Sequence, residues 1–182
     1  MSCGQIALNQ LGFKVEKYFA AEIKQHAIKC TQSNFPDTIQ IGDVRKVSYK
    51  DGILTTANGS FEVGKIDLLI GGSPCQDLSI LMRNREGLEG KKSSLFNEWL
   101  RIKEETNPRN FMLENVASMS VENKNKIDEL LGVTGIFINS SLFSAQLRKR
   151  YYWTNLNVDL EIEDKGVELQ KHIRKRIYRP KK

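Results

Sequence analysis

The sequence predicts an α/β protein with a doubly wound, mostly parallel sheet, and three observations support that prediction. Short apolar runs typical of strands alternate with amphipathic segments of helical period, which is the order that βαβ units produce. Residues 66–70 are rich in Ile and Leu and almost unbroken, as in a strand buried on both faces. Acidic residues stand at the ends of three predicted strands, Glu22, Asp43 and Glu114, where an open sheet binds its ligands.

The first part of the chain is predicted to hold two helices, two strands and a hairpin. Gly12 ends the first helix because glycine readily takes the left-handed conformation of a C-terminal cap. Asn58-Gly59 is a strong turn signal for the hairpin. The predicted segments are a helix at 4–11, a strand at 13–21, a helix at 23–30, a strand at 38–41 and a hairpin within 50–64.

The second part continues the alternation after the buried strand. Residues 83–92 are charged and lack periodicity, which indicates a loop. Serines at 93 or 94 and at 120 can each cap a helix through the hydroxyl oxygen. The predicted segments are helices from 93 or 94 to 106 and from 120 to 131, strands at 111–113, 136–143 and 151–156, and a weak helix at 167–173.

Composition describes one ordinary globular domain. At 182 residues the chain can bury a core of its own, and no apolar run approaches the ~20 residues of a membrane helix. The N-terminal residues lack the pattern of a signal peptide. Cys3, Cys30 and Cys75 share no close spacing, which argues against a disulfide framework or a zinc site. We therefore expect a cytoplasmic protein without a metal.

The positive charge is concentrated at the C-terminus. Residues 171–182 hold seven of the 28 Lys and Arg residues and no acid, so the rest of the chain has 21 basic against 22 acidic residues. Such a run can contact a phosphate backbone, or it can be a solvated terminus. The charge alone does not choose between the two.

Cys75 is the candidate nucleophile. Two glycines end the buried strand, and Pro74 restricts the backbone just before the thiol. Only the thiolate attacks, and a free thiol has a pKa of about 8.5, so a site must activate it. An isolated cysteine is more often a small buried hydrophobe. The rest of the chain must decide.

Three motifs in order resemble the core of the DNA cytosine-5 methyltransferases. They are Gly72-Ser73-Pro74-Cys75-Gln76, Glu114-Asn115-Val116 and Gln146-x-Arg148-x-Arg150. Residues 73–79 and 148–156 are similar to the de novo branch and its phage relatives. The resemblance extends from about Cys3 to Leu156, and it implies a Rossmann-like S-adenosylmethionine-dependent methyltransferase fold. It divides the chain into a partial catalytic core at 1–156 and a short basic segment at 157–182.

The resemblance implies a covalent mechanism on double-stranded DNA. The target cytosine is flipped out of the duplex, and Cys75 attacks its carbon 6 so that carbon 5 can take a methyl group. Glu114, as a protonated acid, hydrogen-bonds ring nitrogen 3, and Arg148 donates to the ring oxygen. The remaining DNA-side residues implied by the motifs are Ser73, Gln76, Asn115 and Arg150.

The resemblance also implies an S-adenosylmethionine site. Glu22 matches the acid that accepts the ribose hydroxyls, and Asp43 matches the acceptor of the adenine amine. The other residues expected near the cofactor are Cys3, Gly4, Ile23, Val44 and Pro74.

Family members carry a strand before the first helix and a target-recognition region after the core, so the resemblance implies a chain truncated at both ends. Two roles stay open: a DNA cytosine-5 methyltransferase, or an incomplete fragment that binds DNA or complements a second chain. A cysteine hydrolase would need a histidine base, and only His26 and His172 are present. A small-molecule methyltransferase is a further alternative, although the Pro-Cys and Glu-Asn-Val motifs favour pyrimidine chemistry.

Overall fold

The structure is a computed structural model that describes residues 2–72 and 95–168. Within these ranges it contains four α-helices and nine strands, and the predicted alternation of the two is present. The helices are α1 (Cys3–Gln10), α2 (Gln25–Asn34), α3 (Leu95–Thr106) and α4 (Val121–Leu131). The strands are β1 (Phe19–Ala20), β2 (Ile39–Gln40), β3 (Ser48–Lys50), β4 (Ile53–Thr56), β5 (Gly59–Glu62), β6 (Leu68–Gly72), β7 (Asn110–Val116), β8 (Ile136–Asn139) and β9 (Lys149–Thr154).

The chain divides into two compact units. The first consists of described residues 2–70 and 95–109, and the second of 71–72 and 110–168. In the first unit β1 and β2 pair in parallel, and β3, β4 and β5 form an antiparallel meander. Buried apolar side chains from the strands, the turns between them and α3 form the core of this unit: Ile41, Val47, Leu54 and Ile102.

Helix α1 is fixed to the first unit by a buried polar contact and by a close backbone approach. Thr38 Oγ1 donates to Gln5 Oε1 over 3.1 Å, and both residues are buried. A Cβ atom at Gly4 would lie only 2.7 Å from Ile70 Cδ1. A side chain at position 4 would have to displace the Ile70 methyl group, so glycine allows the helix to pack at this distance.

A four-stranded sheet has the order β6-β7-β9-β8, and its strands β7, β8 and β9 belong to the second unit, with β9 antiparallel to both β7 and β8. The β8–β9 connection contains a short 3₁₀ helix, Ser140–Leu142, and no α-helix. A connection of this length cannot make the crossover that two parallel strands require, so the strands pair antiparallel. The prediction of an α/β fold holds, with this antiparallel part inside the sheet.

Helix α4 is fixed to the sheet through Asp128. Its Oδ1 accepts from Trp153 Nε1 over 2.6 Å and from the backbone N–H of Gly135 over 3.0 Å, while Oδ2 accepts from Lys124 Nζ over 2.6 Å. The indole of Trp153 is fully buried. As predicted, the Ser120 hydroxyl caps the helix, accepting from the backbone N–H of Asn123.

Four predicted boundaries are corrected. The strand expected at 136–143 ends at Asn139, because the Asn139 side chain accepts from the Ser141 N–H and begins the 3₁₀ helix Ser140–Leu142. The strand expected at 13–21 is reduced to Phe19–Ala20, because most of 13–17 is exposed and pairing with β2 begins only at Tyr18, whose carbonyl accepts from the Ile39 N–H over 2.9 Å. The helix expected at 23–30 is displaced to Gln25–Asn34, since the Glu22 carboxylate takes the N–H groups of the two residues after it. Of the helix expected at 167–173, the two described residues are not helical.

Among the helices within residues 2–72 and 95–168, none combines the length and the apolar character needed to cross a membrane.

Candidate functional site

In the second unit the structure brings three predicted site residues together. Glu114 lies on β7, and its Oε1 is 2.5 Å from Arg150 Nε and 3.5 Å from Arg148 Nη2. The N–H of Arg150 Nε does not have the geometry of a hydrogen bond, so the contact is an ion pair. We call these three residues the Glu114 cluster. Two guanidinium groups converge on one carboxylate, which is half-buried.

The pairing of β7 with β9 explains the cluster. Glu114 is directly opposite Tyr152, and Val116 is opposite Arg150. Arg150 is therefore a diagonal neighbour of Glu114 on the same face of the ladder, within reach of a long side chain. The sequence predicted that Glu114 follows the end of the strand. It lies instead inside β7, two residues before Val116, and this position places it beside β9, the strand that carries Arg150.

The end of β6 adjoins the same carboxylate. A Cβ atom at Gly72 would lie 3.1 Å from Glu114 Oε2 and 3.4 Å from the Glu114 carbonyl oxygen. Any larger residue at position 72 would press on the carboxylate. Gly72 is the last described residue before Ser73, so the described backbone lies next to Glu114 three positions before the predicted nucleophile, Cys75.

Asn115, the residue after Glu114, is buried and hydrogen-bonded to the backbone. Asn115 points to the other side of β7 and is only 2% exposed. Its Oδ1 accepts from the backbone N–H of Val116 over 2.7 Å. This bond fixes the end of the strand behind Glu114.

An open groove adjoins the cluster in the second unit. It combines basic side chains with the exposed apolar side chains of Phe137 and Leu147. The residues that line it are Val116, Ala117, Ser118, Phe137, Gln146, Leu147, Arg148, Lys149 and Arg150. Its positive charge and its apolar side chains suit a surface that meets a phosphate backbone and bases.

In the first unit Glu22 follows β1 and Asp43 follows Ile41-Gly42 after β2, and these two strands are parallel. Both acids therefore lie at the same edge of the ladder, as the sequence predicted. Glu22 Oε1 accepts from the backbone N–H groups of Ile23 and Lys24, each over 2.9 Å. Among the described residues no hydrogen bond engages its Oε2. The pKa of Glu22 is lowered, chiefly by the bond from Lys24, so the group is an ionised acceptor.

Asp43 is held by Arg45. The Asp43 side chain caps the 3₁₀ helix Val44–Lys46 by accepting from the Arg45 backbone N–H over 3.0 Å. The guanidinium also donates through Nε to Oδ1 over 2.9 Å and through Nη2 to Oδ2 over 2.6 Å. These bonds lower the pKa of the Asp43 carboxyl, with the side-chain bond from Arg45 as the largest cause.

The other predicted cofactor residues have varied surroundings. Val44 packs against the apolar core of the first unit, whereas the side chain of Ile23 is 60% exposed. The Cys3 thiol is free and exposed at the start of α1. A Cβ atom at Gly4 would also lie 3.1 Å from the Tyr18 hydroxyl. Burial raises the pKa of Tyr18.

The carboxylate acceptors of the first unit fit the hydroxyl and amine donors of an adenosyl group. Two ionised carboxylates at one strand edge supply acceptors for hydroxyls and for an amine. Gly4 also keeps the start of α1 clear of a side chain. The described part of the chain contains no group of three or more His, Cys, Asp or Glu side chains arranged to hold a metal ion.

Four of the predicted residues lie outside the described part of the chain: Ser73, Pro74, Cys75 and Gln76. Sequence reasoning missed two residues that the structure adds, Gly72 as a contact of Glu114 and Arg45 as the partner of Asp43. The spacing of an acid and an arginine two residues apart was a possible signal for the second. No sequence signal indicated the contact of Gly72 with Glu114, since this contact depends on tertiary packing.

Comparison with known proteins identifies relatives over nearly the whole chain. A family model described as C-5 cytosine-specific DNA methylase matches residues 2–182. The orphan methyltransferase M.Rho11sI of Bacillus phage rho11s is 30% identical over 175 residues, covering 90% of this chain and 32% of that protein. The type II methyltransferase M1.ScrFI of Lactococcus lactis subsp. cremoris is 34% identical over 157 residues, covering 79% of this chain and 37% of that protein.

A solved structure is similar as well. It is assigned as a DNA modification methyltransferase encoded within a prophage (E. coli), with a TM-score of 0.56 and 26% sequence identity. The match covers 86% of this chain and 46% of that chain. The chain spans about a third of the length of the curated relatives named above.

Proposed function

Because the chain belongs to the C-5 cytosine-specific DNA methylase family, we propose that it methylates carbon 5 of a flipped cytosine in double-stranded DNA. Its α/β fold is the Rossmann-like methyltransferase fold. The observation that carries the proposal is the Glu114 cluster, in which a carboxylate and two arginines adjoin the strand end that leads to Cys75.

In this proposal the nucleophile is Cys75. Its thiolate adds to carbon 6 of the cytosine and forms a carbon–sulfur bond, which moves negative charge into the ring. Glu114 in its protonated form donates to ring nitrogen 3, and Arg148 donates to the ring oxygen, so both stabilise that charge. Once carbon 5 carries the methyl group, loss of its proton expels the thiolate and restores the aromatic ring.

Arg150 has a supporting role in the proposal. Its side chain is less exposed than that of Arg148, 18% against 48%, and its guanidinium is closer to Glu114. The less exposed arginine holds the carboxyl group in place from one side, while the more exposed one is available to the base. Asn115 stabilises the backbone at the same point.

The cofactor in the proposal is S-adenosylmethionine, which supplies an electrophilic methyl group when it is bound. Glu22 would accept the ribose hydroxyls through its carboxylate, and Asp43 would accept the adenine amine. The start of α1, with Cys3 and Gly4, would face the methionine end of the cofactor. Pro74 would also lie near the cofactor.

The proposed partner is duplex DNA of a bacterial or phage-infected cell. The groove beside the Glu114 cluster would hold the DNA near the flipped base, and the basic residues 171–182 would add phosphate contacts. A second chain or domain that supplies target recognition remains part of the proposal, since the curated relatives are longer.

Transfer of a labelled methyl group tests the proposal. The chain is incubated with labelled S-adenosylmethionine and cytosine-rich duplex DNA, and the product is digested to nucleosides. We expect 5-methyldeoxycytidine from the wild type and none from Cys75→Ser. Salt-sensitive DNA binding without label in the wild type would contradict catalysis by this chain and favour the DNA-binding role.

A further inference from the structure

We propose that Arg45 is a positioning residue that sets the preference of the cofactor site for an adenine ring, by fixing the orientation of the Asp43 carboxylate. This inference rests on the proposed function, because it concerns the adenosyl group that the site would bind. Arg45 belongs to none of the motifs on which the resemblance depends.

The first step is the number of donors around the carboxylate. Three N–H groups of Arg45 reach Asp43: the backbone N–H, Nε and Nη2. The backbone N–H donates to Oδ1 over 3.0 Å and Nη2 to Oδ2 over 2.6 Å, while the Nε–H is shared between Oδ1 at 2.9 Å and Oδ2 at 3.0 Å. Arg45 thus presents three donor hydrogens to a carboxylate that offers about four acceptor directions, so its fork fixes the group while a further donor can be accepted.

The second step is the rigidity of the turn. Asp43 begins the 3₁₀ helix, and the Lys46 N–H donates to the Asp43 carbonyl over 2.9 Å. From helix α3, Arg101 Nη2 donates to the Val44 carbonyl over 3.1 Å, and Glu98 and Glu105 hold the Arg101 guanidinium. The backbone between Asp43 and Arg45 is therefore held from both ends. The Asp43 side chain could still rotate, and its contacts with the Arg45 guanidinium prevent that rotation.

The third step is chemical selectivity. An ionised carboxylate only accepts hydrogen bonds, so it stabilises the 6-amino group of adenine and repels a 6-oxo group. A protonated or rotated carboxyl group would lose this discrimination. Arg45 is exposed, so its role does not depend on burial in the core.

The test measures binding and uses two ligands. S-adenosylhomocysteine has the 6-amino group, and S-inosylhomocysteine has an oxygen at the same position. Dissociation constants are measured by calorimetry for the wild type, Arg45→Ala, Asp43→Ala and the double variant. Lys46→Ala is the matched control, because it removes an exposed cation from the same 3₁₀ helix, and no hydrogen bond joins its side chain to Asp43 among the described residues.

We expect Arg45→Ala to weaken S-adenosylhomocysteine about tenfold, the effect of one charge-assisted hydrogen bond, and to change S-inosylhomocysteine less than about twofold. Asp43→Ala should abolish the effect of Arg45→Ala, and Lys46→Ala should leave both ligands within about twofold. Arg45→Lys, which keeps the charge but not the fork, should behave like Arg45→Ala.

Equal weakening of both ligands, full additivity in the double variant, or tighter binding by Arg45→Ala would overturn the inference while the proposed cofactor site stands. Failure of the wild type to bind either ligand would overturn the proposed cofactor site and the inference with it. Circular dichroism of each variant shows whether a loss of binding reflects a loss of fold.

Discussion

At the scale of single residues, Glu114 is where the proposed chemistry is concentrated. Its carboxylate meets Arg150 and Arg148, and the strand end at Gly72 lies against its other oxygen. This arrangement leaves little room for the carboxyl group to move. Such preorganisation is what stabilises charge that develops on a bound ring, because no reorganisation is needed during the reaction.

We predict that Glu114→Gln lowers the rate of methyl transfer by about a hundredfold or more, since an amide is a far weaker acid than a carboxyl group and cannot pass a proton to ring nitrogen 3 as negative charge develops on the ring. The DNA dissociation constant should change little, because the charge of the phosphate-contacting surface is unaffected. Single-turnover methyl transfer and filter binding measure the two quantities.

The matched control for this variant is Glu129→Gln, an equal change at an exposed position of helix α4. It should react like the wild type. If Glu114→Gln and Glu129→Gln transferred methyl groups at the same rate, Glu114 would have no part in the chemistry.

At the scale of elements, helix α4 is coupled to strand β9 through one carboxylate. Asp128 accepts from Trp153, Gly135 and Lys124, and the indole is completely buried. A Cβ atom at Gly135 would lie 2.7 Å from the indole, so the turn after the helix also depends on this contact. The element that carries Arg150 is thereby held by groups that take no part in the site.

We predict that Asp128→Ala lowers the free energy of unfolding by about 2 kcal/mol at neutral pH, because the variant leaves the buried indole N–H without its acceptor. The exposed neighbour Glu129→Ala should cost less than about 0.5 kcal/mol. Chemical denaturation followed by tryptophan fluorescence gives both values, and equal values would contradict this account.

The effect of Asp128→Ala should also depend on pH. Burial raises the pKa of Asp128, but the bonds from Lys124, Trp153 and Gly135 outweigh it and leave the pKa below its usual value. The stabilisation is therefore complete above the unfolded value of about 4 and is lost as the pH falls through the lower folded value. The difference between wild type and variant should shrink from about pH 5 towards pH 3.

Elements with a strong local signal were predictable from the sequence, and those that depend on tertiary contacts were not. The cap at Ser120 and the turn at Asn58-Gly59 are local, and both the helix and the hairpin formed as predicted. The strand β3 was missed because its three residues gain order by pairing with β4. The convergence of Arg148 and Arg150 on Glu114 was implied only by the motifs, since the register of β9 on β7 cannot be read from periodicity.

At the scale of the whole molecule, the excess positive charge is concentrated in the C-terminal residues. The net charge of +6 is accounted for by residues 171–182, because the remainder has nearly equal numbers of acids and bases. The groove beside the Glu114 cluster is a second, smaller positive surface. If both surfaces meet DNA, the binding constant must depend steeply on salt.

We predict that deletion of residues 171–182 weakens DNA binding and reduces the slope of log K against log salt by roughly 0.9 for each phosphate that these residues neutralise. A control that replaces the same twelve residues with a neutral Gly-Ser segment should behave like the deletion. Fluorescence anisotropy at several salt concentrations measures the slope. An unchanged slope would mean that the basic residues are only a solvated terminus.

The most direct test of the central claim is covalent trapping of Cys75. The chain is mixed with S-adenosylmethionine and duplex DNA in which cytosine is replaced by 5-fluorocytosine, whose fluorine cannot leave as the carbon 5 proton does. We predict a denaturation-resistant protein–DNA band that is absent from Cys75→Ser, with the cross-link mapped to Cys75 by peptide mass. No band from folded wild-type protein that binds the same DNA would contradict the claim that this chain attacks cytosine.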